Sequence, residues 1–427
     1  VKAELDVDGL NEILSLGPAR TPGSGVFYGF HELLPGCYLT CSVFGRKMTQ
    51  YFHLESRPHF DSYEETVEKT SFLIQDAIKR QMVSDVPICT FLSGGVDSSV
   101  VSAVCAAELK KQGKKLTTFS FDFIDNDKYF KANSFQPSQD RPYVDKMVSF
   151  LDSDHHYLEC DNKMQADLLY RSVDAHDLPC MADIDSSLQY FCEEVSHSHK
   201  VVLTGECADE VFGGYPWFHR EEMLNSGTFP WTPSLTPRKV LLKDDLVESL
   251  HMDEYVKKIY DRSVSEINLL PSESEIETNR RRIGYLNIRF FMQTLLNRMD
   301  RTSMFSGLEA RVPFADRKLV DYVFNIPWEM KAKDGLVKNI LRQASKGLLP
   351  DEILFRRKSP YPKTYNPYYE NLLAKRLKEV LSDSASPLHS LLDLKQVTQF
   401  LENPKDYGAP WYGQLMAGPQ MIAYLLQ

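Results

Sequence analysis

Residues 86–123 read VPICTFLSGGVDSSVVSAVCAAELKKQGKKLTTFSFDF, and their order decides the fold. Val86 to Leu92 is a short apolar run and Ser93 to Ser99 (SGGVDSS) a glycine-rich turn. Val100 to Lys115 then carries Val101, Val104, Cys105 and Leu109 on one helical face, and Leu116 to Phe123 is rich in Thr and Phe. This succession predicts strand, loop, helix and strand, with Gly113 suited to the helix end. A β-α-β unit favours a parallel sheet with a right-handed crossover.

Working outward, Ser62-Tyr-Glu-Glu65 has the capping-box pattern, and Val67, Ile74, Ala77, Ile78 and Met82 follow at helical spacing, so a helix to about Met82 is expected. Downstream, Tyr143 to Leu151, Met164 to Ala175 and Ser186 to Ser198 suit helices, while His155 to Cys160 and Lys200 to Thr204 suit strands. The alternation predicts an α/β domain on a doubly wound parallel sheet. After Pro216 the chain reads as mainly helical and aromatic. Asp125 to Pro142 is polar without a clear period, either a loop over the site or an exposed insertion. The first 60 residues form a separate zone, in which Gly25 to Phe30, Gly36 to Ser42 and Met48 to Leu54 read as small strands or an irregular linker.

The 427 residues are enough for two or three domains. No stretch approaches the roughly 18 apolar residues of a membrane span, so a membrane is not expected as partner. Lys plus Arg number 49 against 59 Asp plus Glu, and the resulting charge of −10 disfavours nucleic acid as a partner. Eight cysteines without a CxxC pair indicate neither a disulfide framework nor a zinc ribbon, and read as mostly buried thiols of a reducing compartment, the cytoplasm. The opening VKAELDVDGL has neither Met nor a secretory signal, which suggests an upstream part removed or left out.

The chemistry concentrates in two loops. In SGGVDSS the glycines let backbone N–H groups converge, the hydroxyls add donors and the helix N-terminus adds partial positive charge, which together make an anion cradle. A Walker-type lysine is absent, so ordinary NTPase chemistry loses support. Asp97 in an anion site is explained by Mg²⁺ bridging its carboxylate to phosphate oxygens; the plainer reading is a capped Gly-Ser turn. The second loop, Leu203 to Tyr215 (LTGECADEVFGGY), follows the strand KVVLT. Ligands bind beyond the carboxyl ends of parallel strands, so the two loops should face each other. Glu206, Asp209 and Glu210 repel one another unless a metal or cationic substrate relieves them; otherwise they form a solvated acidic turn.

SGGVDSS, LTGECADEVFGGY and GLEARVPFADRKLVDYV together resemble the synthetase domain of the glutamine-dependent asparagine synthetases, over nearly the whole chain. The resemblance implies a fold of the ATP pyrophosphatase (adenine nucleotide alpha hydrolase-like) type with a mainly helical C-terminal part. It divides the chain into residues 1–60, the tail of a glutaminase domain with its connector, and 61–427, the synthetase domain. It also implies ATP and Mg²⁺, with aspartate and ammonia as substrates, a β-aspartyl-AMP intermediate, and release of AMP and pyrophosphate. Carried over, Ser93, Gly94, Gly95, Asp97, Ser98 and Ser99 hold the pyrophosphate part, Asp97 and Asp209 the metal, and Phe91, Leu92, Phe121, Thr204 and Gly205 surround adenosine. Glu206 matches the carboxylate that forms and aminates the intermediate, and Lys358, in Arg356-Arg357-Lys358, the family's lysine before a mobile tail; a solvated basic cluster is the alternative there. Asp183 and Asp300 match positions near the aspartate pocket, or are helix caps or ion-pair partners. An upstream glutaminase domain is the expected partner, since Cys37 and Cys41 do not fit its nucleophile, and a homodimer is compatible with the sequence. Competing readings are an amide-forming enzyme resembling β-lactam synthetase and a nucleotide-binding scaffold without catalysis.

Overall fold

A computed structural model describes residues 3–130, 132, 136–402 and 410–427. It resolves into two compact units, one assembled from Val1–Pro58, Pro216–Thr294 and Lys378–Gly418, the other from His59–Tyr215, Leu295–Leu377 and Pro419–Gln427. In the first unit, β1 (Cys37–Ser42) and β2 (Gly45–Gln50) pair as an antiparallel hairpin, with Cys37 opposite Gln50. Gly25 to Phe30 forms no strand: the chain doubles back so tightly that a Cβ on Gly25 would stand 2.5 Å from the Phe30 carbonyl carbon. The interior of this unit is aromatic, with Trp217 at 5.1 Å from Phe291 and Phe291 at 5.7 Å from Tyr412 between ring centres. The Trp217 indole N–H donates to Asn287 Oδ1 at 3.2 Å, so the buried polar tip is satisfied.

The second unit carries the sheet. Its strands are β3 (Ile88–Phe91), β4 (Thr117–Phe123), β5 (Asp154–Cys160), β6 (Val201–Leu203) and β7 (Glu309–Arg311), in the order β5-β4-β3-β6-β7. All four pairings are parallel. Its helices include α1 (Tyr63–Gln81), α2 (Val96–Lys111), α3 (Arg141–Leu151), α4 (Asn162–His176), α5 (Asp183–Ser196), α6 (Ala208–Phe212), α7 (Gln293–Phe305), α8 (Asn339–Ala344) and α9 (Gly418–Leu426). The predicted capping box opens α1: Ser62 Oγ accepts from Glu65 N–H, and Glu65 accepts in return from Ser62 N–H at 2.8 Å.

Two expectations change. Helix α2 begins at Val96 rather than Val100, inside the glycine-rich motif, with Gly95 as its N-cap. It is also buried on all sides from Ser98 to Cys105, not along one stripe, because it is a central helix whose small residues let neighbours approach from every direction. The core beside it gathers Cys89, Phe119, Phe121, Phe123, Phe191 and Val202. Of the eight cysteines, six are buried, Cys37 is half-buried and Cys41 exposed. No helix among the described residues is long and apolar enough to cross a membrane. Residues 131 and 133–135 of the polar segment Asp125–Pro142 lie outside the described residues, and Asn126 to Tyr129 is a helical turn.

Candidate active site

Beyond the carboxyl end of β3, the backbone turns at Gly94, whose φ of +69° lies in the left-handed region. A Cβ there would stand 2.7 Å from Tyr143 in α3, so the turn and α3 touch through bare backbone. Ser98 folds back on the loop, its Oγ accepting from Ser93 N–H at 3.1 Å and lying 3.0 Å from Ser93 Oγ. The first amides of α2 are those a helix cannot satisfy internally, and Gly95 supplies no side-chain cap. They remain open to an anion. Arg356 locks the loop from behind: its guanidinium donates to the Ser93 carbonyl at 3.0 Å and to Asp140 at 2.5 Å, and lies 3.9 Å from the Tyr143 ring centre.

The loop after β6 meets this one directly. Thr204 extends the strand by donating to the Arg311 carbonyl at 2.9 Å, and Gly205 then packs so closely that a Cβ would stand 2.5 Å from Ser98 N and 2.8 Å from the Asp97 carbonyl carbon. The predicted facing of the two loops is therefore a backbone-to-backbone contact. Gly205→Ala must push them apart against immovable main chain, which should cost about 1–3 kcal/mol of overpacking; urea unfolding of variant and parent measures it.

From these loops Asp97 and Asp209 converge on one point, and an ammonium occupies it. Lys338 Nζ stands 2.7 Å from both Asp97 oxygens and 2.8 Å from Asp209 Oδ1, while Lys358 binds the other Asp209 oxygen. Burial opposes the charge on Asp209, but the two lysines outweigh it and hold its carboxyl well below the ordinary range. Asp97 is lifted instead by burial, with Lys338 opposing and Asp209 adding to the rise. Lys338 is buried and takes a left-handed φ of +57° at the start of α8. A non-glycine residue holds that conformation where its surroundings over-determine it, here through two carboxylates. Arg342 ties this turn to the Lys358 segment by donating to the carbonyls of Val337 at 2.8 Å and Arg356 at 3.1 Å.

Sequence reasoning missed Lys338. Its signal was local: Lys338-Asn339 between Leu336-Val337 and Ile340-Leu341 sets a charge inside an otherwise apolar run, which requires buried partners. Arg298 of α7 was also missed. It is buried and donates to Glu206 Oε1 at 2.6 Å, so Glu206 is steadied by a guanidinium. Glu210 turns away from the point of convergence to accept from the Tyr215 hydroxyl, and burial together with Asp209 pushes its carboxyl up to about 7. Phe121 and Phe91 lie against Phe191, with centroids 5.5 and 4.3 Å away, and Tyr361 stacks on Phe121 at 6.1 Å. Leu92 is buried beside them and donates to the Phe119 carbonyl at 2.8 Å. Ser99 is buried in the first turn of α2, its N–H bonded to the Gly95 carbonyl at 3.1 Å.

Asp183 is buried at the start of α5, where Gln420 of α9 donates to it at 3.0 Å. Burial pushes it up to about 6, countered by Gln420 and by the charge of Lys363. Asp300 lies exposed on α7, so the structure does not gather it with the others; Arg298, two residues earlier, faces inward.

Residues 70–427 match the family described as Asparagine synthase. The chain belongs to the asparagine synthase family. It is 49% identical over its full length to asparagine synthetase [glutamine-hydrolyzing] 3 of Bacillus subtilis, covering 70% of that protein. It is 26% identical to the rat asparagine synthetase [glutamine-hydrolyzing], with 82% of this chain matched to 55% of the rat protein. A third relative, the amidase chyE of Penicillium rubens, is 27% identical, with 78% of this chain matched to 58% of that protein. The matched residues contain all five strands of the parallel sheet and both loops at its carboxyl edge.

Proposed function

We propose that this chain is a carbon–nitrogen ligase that makes asparagine from aspartate, ammonia and ATP through β-aspartyl-AMP, on a sheet of the ATP pyrophosphatase type. The observation that carries the reading is the convergence of Asp97 and Asp209, from two loops packed backbone to backbone, beside an open helix N-terminus. Phosphates would lie on Ser93, Gly94, Gly95, Ser98 and Ser99, and adenosine against Phe91, Leu92, Phe121, Thr204 and Gly205.

Asp97 and Asp209 fit Mg²⁺, because hard carboxylate oxygens from separate loops already share one cation, and substrate phosphates with water would complete the set. Bound there, Mg²⁺ would neutralise phosphate charge. Lys338, whose ammonium lies between the two carboxylates, and Lys358, on the other Asp209 oxygen, supply fixed positive charge there. The aspartate β-carboxylate attacks the α-phosphorus and pyrophosphate leaves; ammonia then attacks the acyl carbon and AMP leaves, with Glu206 accepting a proton from the entering nitrogen. Arg298 holds the Glu206 carboxylate in place for that transfer. In the whole protein the ammonia would come from an upstream glutaminase part.

The test is incubation of the chain with ATP, Mg²⁺, aspartate and ammonium. Equal amounts of AMP, pyrophosphate and asparagine are expected, and ADP with phosphate would refute the reading. Asp97→Asn should lower kcat by about 100-fold or more, as expected for loss of a metal-holding carboxylate at the reacting phosphates; activity equal to the parent at limiting Mg²⁺ would exclude Asp97 as a metal ligand.

A further inference from the structure

A second cluster lies where α4 ends and α5 begins, separated from Glu206 of the second loop by Arg298. His176, Cys180 and Asp185 stand at the spacing His-x3-Cys-x4-Asp. One ligating atom from each lies within 4.8 Å of the others, and the three residues are only 5%, 3% and 1% exposed. We propose that these residues form a structural binding site for a divalent transition metal of borderline softness, zinc foremost.

The hydrogen bonds define the donor atoms. His176 Nδ1 is 2.8 Å from the Ser172 carbonyl oxygen, which can only accept, so Nδ1 carries a ring hydrogen and Nε2 is the atom turned towards Asp185. A backbone carbonyl orienting the distal nitrogen is the usual support of a metal-binding imidazole. Neither Nε2 of His176 nor Oδ1 of Asp185 has a hydrogen-bond partner among the described residues. Nε2 of His176 faces the gap and would cost about 1–3 kcal/mol if left unsatisfied, while Asp185 Oδ1 stands 3.9 Å from Arg298 Nε.

One separation is that of two ligands on a common ion. Nε2 stands 3.8 Å from Asp185 Oδ2, too long for a hydrogen bond. Ligands at about 2.0–2.3 Å from one tetrahedral zinc stand roughly 3.3–3.8 Å apart. The surroundings are already arranged: Gln427 Nε2 donates to Cys180 Sγ at 3.1 Å, and Met181 N–H donates to Asp185 Oδ2 at 2.7 Å.

Arg298 is matched by Glu206 at 2.6 Å and stands 3.9 Å from Asp185. Burial pushes the Cys180 thiol well above the usual thiol range. On binding, the Cys180 S–H bond is replaced by an S–Zn bond and the proton leaves to solvent. The exchange adds one net positive charge. Imidazole, thiolate and carboxylate together select zinc or cobalt over magnesium.

The test uses the full chain expressed with zinc, desalted without chelator and analysed for metal, then exchanged to Co²⁺ during refolding. One zinc per chain is expected, with a thiolate-to-cobalt charge-transfer band in the near ultraviolet. Cys180→Ser, nearly the same size, should lose that band and weaken binding by about 100-fold or more; His176→Gln should do the same if serine alone impairs folding, which circular dichroism reports. Metal content and band equal in parent and variants, or no thiolate band in the parent, would overturn the site. Magnesium at Asp97 and Asp209 produces neither signal, so the result is independent of the proposed reaction.

Discussion

Replacing Lys358 by alanine should lower kcat by about two to four powers of ten while ATP affinity changes far less. When the aspartate carboxylate attacks the α-phosphorus, negative charge grows on the phosphoryl oxygens and on the departing pyrophosphate. A fixed ammonium stabilises that charge most at the transition state, worth about 3–5 kcal/mol for the predicted loss. Lys358 lies in an irregular segment after Arg356, yet its Nζ reaches Asp209 and lies 4.7 Å from the Tyr215 ring centre. Lys358→Arg should restore part of the activity, because a planar fork is not a compact point charge. Steady-state kinetics with ammonium, together with ATP binding measured without aspartate, separate the two effects. An unchanged kcat would leave Lys338 as the principal lysine of the site.

Lys338→Met should be the most destabilising substitution at the site, by about 3–5 kcal/mol near neutral pH without Mg²⁺, because it removes the cation shared by two buried carboxylates. The pH dependence follows from the shifts. Asp209 is held below its ordinary range in the parent, so its contribution is present above the unfolded value and lost as pH falls through the folded one. In the variant the carboxylates take up protons more readily, which relieves their repulsion as pH falls. The deficit of the variant should therefore narrow towards acid and be widest near neutral. Mg²⁺ should raise the melting temperature of the variant more than that of the parent, since the ion can replace the missing charge. Calorimetry at several pH values checks both; a deficit that widens towards acid contradicts the assignment.

Sequence and structure agree where local patterns carry the information. The alternation from Ile88 to Leu203 predicted β3 to β6, and the Ser62 to Glu65 capping box opened α1 as expected. Disagreement arises where contacts are distant. Strand β7, Glu309–Arg311, has neither alternation nor an apolar run; it is a strand because β6 offers it a parallel edge, Val202 facing Ala310. The start of α2 at Val96 was hidden because Gly95 opens it without a capping side chain. Both loops of the site were legible as glycine-rich turns following strands. The cations that balance them were less so, since Lys338 meets Asp97 across 241 positions and Arg298 meets Glu206 across 92. A lysine inside an apolar run names a buried charge without naming its partners.

The claim that joins these residues is that aspartate attacks the α-phosphorus of ATP. Aspartate labelled with ¹⁸O in its β-carboxylate tests it directly, because the oxygen that forms the acyl phosphate bond stays with AMP when ammonia displaces it. The account predicts one labelled oxygen in each AMP and one retained in each asparagine. Unlabelled AMP, or label appearing in inorganic phosphate alongside ADP, would contradict it.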